Sequence, residues 1–344
     1  MIKKTDLLPL SSIDKPICIY IVGRGHSGST LLTLLLARHP EVAAVGELAN
    51  LSLQCFRDGE RTKWVGRCGC GERPFDCVVW RELLVQVKKV FGVDMQKDPF
   101  SWRVSDVGLE EEYRSMAPRK IPLIWARNKF WRILRFAQYS QSDFIRNITK
   151  WYCPQILWAH NRSFIIKKFA EKLGVRAVVD ASKDYLGMCD VYYYSQLPVK
   201  IIFITRDCRG SVWSMAKHAK SNIERAKMIS LGVDKWVVVN RRIMNFLKLI
   251  PSTDWIHIQY EELCHNPQKT MQSIFNFMKF MNPKYNLTNV DIKEHTIAGN
   301  KIRLLGEITN IVEDTNWSTN LTEDELKAVK KHAGDFAKTL NYRL

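Results

Sequence analysis

The chain has 344 residues, of which 46% are hydrophobic and 25% are charged, and its formal net charge at pH 7 is +17. These proportions exclude a disordered chain and fit one large α/β domain with insertions or two small domains. The positive charge favours an anionic ligand such as a nucleotide, a nucleic acid, an acidic glycan or a membrane surface, although solubility alone also accounts for a surplus of charge.

The sequence shows no targeting or membrane-spanning segment. The basic start of the chain is not followed by the apolar stretch of a signal peptide, and the longest apolar runs fall far short of the roughly 20 residues of a membrane helix. The nine cysteines are an odd number and most stand alone, which argues against a full disulfide framework. We therefore expect a cytoplasmic protein.

The clearest pattern near the start of the chain is a strand, a glycine-rich loop and a helix. Residues 17–22 are apolar and β-branched, which predicts a buried parallel strand. The loop follows at 23–30 with the sequence Gly-Arg-Gly-His-Ser-Gly-Ser-Thr, and 31–39 has the composition of a helix that Pro40 ends. Such a loop is either a phosphate cradle or a plain tight turn. Its spacing is that of a P-loop, but Ser29 replaces the lysine, which argues against ATP or GTP hydrolysis.

Similar units recur downstream. Strands are predicted at 176–180, 200–205 and 255–260, and a helix at about 267–280. Alternating strands and helices predict an α/β fold, a P-loop-like three-layer α/β/α domain with a mainly parallel central sheet. Residues of about 90–165 break the alternation, so we expect a single domain over 1–344 with a helical insertion there that covers the acceptor site.

The loop, with His39-Pro40 and Gly46-Glu47-Leu48 after it, resembles the donor-binding loop of sulfotransferases that use 3′-phosphoadenosine 5′-phosphosulfate (PAPS). The resemblance is to the bacterial and tyrosylprotein-type branch of that family. It implies that the loop binds the 5′-phosphosulfate through Arg24, Gly25, His26, Ser27, Gly28, Ser29 and Thr30. Many members carry a basic residue where this chain has His26, so Arg24 or a protonated His26 is expected to supply the positive charge.

A second phosphate site is predicted at Arg206, which ends the strand at 200–205, and Ser214, eight residues later. An arginine fork and a hydroxyl together can hold one phosphate, although Arg206 can instead pair locally with Asp207 or Glu262. The resemblance implies that Arg206 and Ser214 bind the 3′-phosphate of the donor. It also implies donor contacts from a strand-end tyrosine and from a late loop that closes over this phosphate, here Tyr260, Gly299, Asn300 and Arg303.

Three residues are candidates for catalysis. Glu47 follows the loop helix and matches the Gly-Glu position from which related enzymes draw a general base, and His26 is the rival base. Lys183 lies just past the strand at 176–180 and matches a Ser/Asn-Lys-Asp motif, which implies that it neutralises charge on the bridging oxygen. We predict sulfuryl transfer from PAPS to an acceptor hydroxyl by in-line displacement with a general base, with no metal required.

Two other functions remain as alternatives. A nucleoside or small-molecule kinase on a P-loop scaffold is disfavoured because Ser29 replaces the lysine and because the strand at 200–205 ends in an arginine instead of an acidic metal ligand. A basic nucleic-acid or membrane-binding protein leaves the loop and the Arg206/Ser214 pair unexplained. The predicted acceptor is a glycan, a peptide or a small molecule. The positive charge of the chain favours an acidic glycan or an acidic peptide. No nucleic-acid partner is expected, peripheral membrane contact is compatible with the charge, and the oligomeric state is left open.

Two further segments stand out. Cys68, Cys70 and Cys77 form a tight cluster that is either a local disulfide or free thiols, or a metal site if Cys55 or a histidine supplies a fourth ligand. We expect it to staple a loop rather than to catalyse, and we predict no metal in the active site. The basic, aromatic segment 125–135 is an acceptor platform, an interfacial helix or an amphipathic cap helix.

Overall fold

The structure is a computed structural model that describes residues 15–57, 65–107, 154–280, 295–304 and 311–344, together with residues 130, 133 and 139. In this part of the chain, five strands form one sheet in which every neighbouring pair is parallel, in the order β2-β3-β1-β4-β5. The strands are β1 (Ile17–Val22), β2 (Val42–Gly46), β3 (Ala177–Lys183), β4 (Val199–Thr205) and β5 (Trp255–Gln259).

Eleven α-helices are described. They are α1 (Ser29–Leu36), α2 (Leu51–Phe56), α3 (Val78–Phe91), α4 (Pro154–Leu173), α5 (Tyr185–Tyr194), α6 (Cys208–Ala216), α7 (Asn222–Leu247), α8 (Tyr260–His265), α9 (Pro267–Met278), α10 (Trp317–Asn320) and α11 (Glu323–Lys338). Short 3-10 turns occur at Leu48–Asn50, Ser252–Asp254 and Lys301–Leu304. None of the described helices has the length and apolarity needed to cross a membrane.

Helices cover both faces of the sheet, because a parallel strand is buried on its two sides. Tyr20 of β1 points into a core shared with α4, α5 and α7. The next residue, Ile21, points into a second core shared with α1 and α9. Both side chains are fully buried. The three-layer α/β/α architecture predicted from the sequence is therefore confirmed, and the described sheet is parallel throughout.

The predicted elements differ most from the structure in three places. Strand β2 was not predicted, and α1 begins at Ser29 and ends at Leu36 rather than covering 31–39. Strand β3 runs past Asp180 to Lys183, because the Arg162 guanidinium lies 3.1 Å from the Asp180 carboxylate and compensates the charge that the strand buries. Lys183 is thus the last residue of a strand and not part of a following loop.

The helical insertion predicted over 90–165 is described only at its ends. Residues 92–107 contain turns and no helix, which corrects the prediction there, whereas 154–165 belong to α4. Most of 108–153 lies outside the described residues, and so does most of the basic, aromatic segment 125–135. Within that segment only Phe130 and Ile133 are described, and both are helical and exposed. The single-domain organisation stays a prediction.

Candidate functional site

All five strands bring a predicted site residue to one edge of the sheet. The glycine-rich loop begins at Gly23 directly after β1, and Lys183 ends β3. Glu47 directly follows β2, Arg206 directly follows β4, and Tyr260 directly follows β5. Since the strands are parallel, these five positions share the carboxyl edge, where open α/β sheets bind their ligands. The sequence predicted the strand ends before the loop, Lys183, Arg206 and Tyr260, but it did not predict β2, the strand that brings Glu47 to the same edge.

The glycine-rich loop forms a cradle beneath the Tyr260 ring. Gly28 has φ 84° at the start of α1, and a Cβ added there would lie 2.3 Å from Cδ2 of Tyr260, so only glycine fits. The Ser27 hydroxyl is buried, and its oxygen has no hydrogen-bond partner in the described residues. A buried hydroxyl without a partner is costly unless a ligand satisfies it. The residues present therefore fit an anion in the cradle.

The first turn of α1 adds to this cradle. Ser29 and Thr30 are its first two residues, and amides in a first turn have no acceptor within the helix. Those amides and the helix dipole attract negative charge. Of the remaining loop residues, the Gly25 carbonyl accepts from the Ser211 hydroxyl at 3.4 Å, and Arg24 donates to the Met215 sulfur at 3.5 Å. The loop is thus held against α6.

His26 lies between the two predicted phosphate sites. Its Nδ1 is 3.1 Å from the Ser214 hydroxyl, and its carbonyl accepts from the Arg206 guanidinium at 3.4 Å. Burial, followed by the positive charges of Arg24 and Lys183, lowers the pKa of His26 to about 4. This direction favours the neutral imidazole at pH 7, so Arg24 is a better candidate than a protonated His26 for the positive charge of the loop, and its role stays a prediction.

Arg206 is nearly buried and directed at the same region. Its guanidinium stacks over the Tyr260 ring at 4.6 Å, donates to the Asp314 carbonyl at 2.6 Å and pairs with the Asp314 carboxylate at 3.3 Å. The local alternative is not observed for Asp207, since that carboxylate pairs with Arg209 at 2.6 Å. Arg206 is therefore held at the site by a carboxylate that a phosphate can replace.

The two main catalytic candidates form a pair. Lys183 Nζ lies 2.5 Å from Glu47 Oε1, and the Asn50 amide donates to Glu47 Oε2 at 3.2 Å. Both charged side chains keep some exposure, 22% for Lys183 and 18% for Glu47. Lys183 also has φ 63°, a conformation that costs a residue with a side chain on the order of 1–2 kcal/mol. Such strain concentrates at functional sites.

Of the predicted donor-binding residues in the late loop, Gly299 is the one that lies close to Glu47 and to the start of α1. A Cβ added at Gly299 would lie 3.5 Å from Glu47 Oε1 and 3.8 Å from Thr30 Oγ1. Asn300 accepts from the Ile302 amide at 3.1 Å. Arg303 is 2% exposed and donates to the Thr296 carbonyl at 3.0 Å, so its side chain braces the loop. Contact of Asn300 and Arg303 with the donor stays a prediction.

A cavity of about 290 Å³ opens beside the cradle. Gly23, Gly25 and Lys183 are among the residues that line this cavity. Arg24 and Arg242 add positive charge to its lining, and Asp184 adds one negative charge, so cations are in excess. The cavity therefore places a cationic chamber next to the Glu47–Lys183 pair.

Several site residues were not predicted. Asp314 holds Arg206 from 108 residues away, and no local pattern around Asp314 announces this contact. Ser211 contacts the loop one helical turn before Ser214, a spacing that could have identified it. His295 joins the three clustered cysteines, whose sulfurs form no disulfide in the described part of the chain.

One protein family and several solved structures are similar to this chain. The family described as the sulfotransferase family matches residues 103–281, just over half of the chain. The chain is similar in structure to the sulfotransferase domain from the Synechococcus PCC 7002 olefin synthase, at 16% identity and TM-score 0.47, over 97% of this chain and 98% of that one. It is also similar to sulfotransferase STF9 from Mycobacterium avium, at 13% identity and TM-score 0.47, over 97% and 79%. No curated protein matches the chain.

Proposed function

Because this chain belongs to the sulfotransferase family, we propose that it transfers a sulfuryl group from PAPS to the hydroxyl of an acceptor. The single observation that carries the choice of donor site is the Ser27 hydroxyl, which is buried without a partner in a cradle at the start of α1. The donor supplies an activated sulfuryl group on a phosphate leaving group. The family match disfavours the kinase alternative.

Two anion subsites support a bisphosphorylated nucleotide. The first consists of the Ser27 hydroxyl with the amides at the start of α1, and the second of Arg206 with Ser214. His26 contacts both members of the second subsite while it belongs to the loop of the first, so the two subsites are neighbours. We assign the 5′-phosphosulfate to the first and the 3′-phosphate to the second, where it would take the place of the Asp314 carboxylate on Arg206.

The Glu47–Lys183 pair supports a division of roles. An anion in the cradle competes for the Lys183 ammonium, which now lies against Glu47 Oε1. When Lys183 turns to that anion, its positive charge stabilises the leaving oxygen and the Glu47 carboxylate becomes free to accept the proton of the acceptor hydroxyl. Asn50 keeps the carboxylate oriented through its other oxygen. Glu47 is therefore our choice for the general base.

The cavity beside Lys183 is our proposed entry for the acceptor. Gly25 of the glycine-rich loop and Lys183 both line this cavity, so a hydroxyl group inside it lies close to both. Arg24 and Arg242 outnumber the single carboxylate of Asp184 in its lining, and this excess of positive charge favours an acceptor that carries negative charge, such as an acidic glycan or peptide.

We expect adenosine 3′,5′-bisphosphate to raise the Tm of the protein and ATP with magnesium to leave it unchanged. The bisphosphate offers one phosphate to each subsite, whereas ATP leaves Arg206 without its 3′-phosphate. At about 100 times its Kd a ligand stabilises the fold by about 2.7 kcal/mol, which a thermal-shift titration detects. Stabilisation by ATP with magnesium alone would contradict the proposal.

The variant His26→Gln separates the two candidate bases. An imidazole with a pKa of about 4 holds its proton in about 1% of molecules at pH 6, so it is too weak a base to drive the reaction efficiently. We expect kcat/KM, which reports the free enzyme, to fall less than about tenfold, against the 10²–10⁴-fold expected for loss of a general base. A loss in the larger range, measured by sulfate transfer from labelled PAPS, would return the role of base to His26.

A further inference from the structure

Four potential metal ligands meet outside the proposed active site, on the far side of the 295–304 segment. Their ligand atoms all lie within 4.8 Å of one another. Two of the residues are fully buried and two are half-buried. We call this group the cysteine–histidine cluster; its members are Cys68, Cys70, Cys77 and His295.

The distances within the cluster fit the edges of a metal-centred tetrahedron. A Zn²⁺ ion with Zn–S bonds of about 2.3 Å and a Zn–N bond of about 2.0 Å separates sulfur from sulfur by about 3.8 Å and sulfur from nitrogen by about 3.5 Å. The Cys68 and Cys77 sulfurs are 3.6 Å apart, and His295 Nδ1 lies 3.8 Å and 3.2 Å from them. A disulfide would require about 2.05 Å between two sulfurs. The geometry thus suits a shared ion and not a covalent bridge.

The backbone around the cluster prepares these ligands. The Cys68 amide donates to the Glu72 carbonyl at 2.7 Å, and the Gly71 amide closes a turn back to Cys68 at 2.9 Å, which holds Cys68 and Cys70 on one loop. Cys77 occupies the position just before α3. Three of the four ligands therefore come from one short stretch of chain whose backbone is held in place.

Neighbouring residues hold the ligands in place and balance their charge, as the residues around metal ligands commonly do. The Trp80 indole donates to the His295 carbonyl at 2.6 Å and fixes the position of that residue. Arg303 is buried near the sulfurs of Cys68 and Cys70, which interact electrostatically with it. Three thiolates and one Zn²⁺ leave a net charge of −1, which the nearby guanidinium balances.

We propose that the cysteine–histidine cluster binds one Zn²⁺ ion as a structural site. The thiol and imidazole set, closed at four protein ligands, is that of structural zinc and leaves no position for substrate. The ion joins the loop that carries the cysteines to the segment that begins at His295. No step of sulfuryl transfer runs through it.

The consequence of this site concerns Glu47. Two residues after His295, the Ile297 amide donates to the Val45 carbonyl at 2.9 Å and its carbonyl accepts from the Glu47 amide at 2.8 Å. Gly46 has φ 79°, and a Cβ added there would lie 2.3 Å from the Ile297 oxygen, so glycine permits this approach. The zinc ion therefore fastens the strand-like segment that supports Glu47 and leads to Gly299. This consequence rests on the proposed function, whereas the site itself does not.

The full chain, purified without added metal, is expected to contain about one zinc per molecule by mass spectrometry of its metals. Cobalt added in place of zinc is expected to give the strong visible bands of a tetrahedral thiolate complex, a readout that needs no variant. The variants Cys77→Ser and His295→Asn should lose most of the zinc, whereas Cys55→Ser, which changes a buried cysteine outside the cluster, should keep it.

Two results would overturn the zinc site. One is wild-type protein without bound zinc that takes up neither zinc nor cobalt stoichiometrically. The other is a disulfide between Cys68 and Cys77, found by peptide mass spectrometry of non-reduced protein. Binding of adenosine 3′,5′-bisphosphate is measured on the same samples. Protein that binds the nucleotide without zinc refutes the metal site alone, and protein that binds zinc without the nucleotide refutes the proposed function alone.

Discussion

Replacing Arg206 by alanine is expected to weaken the binding of adenosine 3′,5′-bisphosphate by about 10²–10³-fold. Hydrogen bonds to a charged group contribute about 1.5–3 kcal/mol each, and a guanidinium offers two in parallel to a phosphate. Losing this fork therefore costs roughly 3–4 kcal/mol, and each 1.4 kcal/mol is about a tenfold change in Kd. Isothermal titration calorimetry on wild type and variant measures the change directly.

Three further variants make the result specific to Arg206. Arg206→Lys retains the charge without the planar fork and is expected to be intermediate. Arg209→Ala removes a second arginine of the same segment, which pairs with Asp207 and stacks on Trp317, and should leave the affinity within about threefold. Asp314→Asn removes the competing carboxylate and should bind at least as tightly as wild type.

Equal affinity of Arg206→Ala and wild type would remove the second subsite from the proposal. The unliganded variants are compared by circular dichroism and Tm, because Arg206 also holds the Asp314 carbonyl and stacks on Tyr260. A variant that keeps its Tm and loses affinity supports direct contact with phosphate.

Four of the five described strands were predictable from their apolar, β-branched sequences, and β2 was not. The run at 17–22 coincides with β1, and the run at 200–205 with all but the first residue of β4. Strand β2 has the sequence Val-Ala-Ala-Val-Gly, and its two alanines and terminal glycine carry little β-propensity. It forms because Ala44 and its neighbours pair with β3. That partner lies more than 130 residues away, so tertiary pairing decided what local propensity did not.

The residues of the proposed site also fall into some that were predictable from the sequence and some that were not. Residues that directly follow strong strands, such as Arg206 and Tyr260, were predictable because the carboxyl edge of a parallel sheet is fixed by topology. Contacts made by loops were not, and Asp314 and His295 are examples. The sequence gives three clustered cysteines but leaves the fourth ligand open between Cys55 and a histidine. Only the packing of 295–297 against Gly46 and Cys68 decides for His295.

Strained backbone conformations concentrate around the proposed active site. Five described residues other than glycine have positive φ, and three of these lie beside the cradle: His26, Lys183 and Ala298. Each conformation costs on the order of 1–3 kcal/mol and persists only where the surroundings hold it. The surroundings here are β1, the end of β3 and the segment from His295. The proposed zinc ion braces the third of these, so it helps to keep the site in its strained form.

The variant Glu47→Gln is expected to lower turnover by about 10²–10⁴-fold while the Kd for adenosine 3′,5′-bisphosphate stays within about threefold. The amide preserves the shape of the side chain and an oxygen for Asn50, but it cannot accept the proton of the acceptor hydroxyl. Loss of turnover without loss of binding is the signature of a group needed only in the transition state. Single-turnover transfer of labelled sulfate, with calorimetry for the nucleotide, separates the two quantities.

The same two strands offer a matched control at their other ends. Glu41 precedes β2 and pairs at 2.8 Å with Arg176, which precedes β3, just as Glu47 and Lys183 pair where the strands end. Glu41→Gln therefore removes an equivalent ion pair far from the cradle and should leave turnover unchanged. The double variant of Glu47→Gln and Lys183→Met should show about the sum of the two single losses in free energy, because the carboxylate takes a proton while the ammonium stabilises the leaving oxygen. A double variant no worse than the more damaged single variant would contradict these separate roles, and wild-type turnover in Glu47→Gln would remove the base from this position.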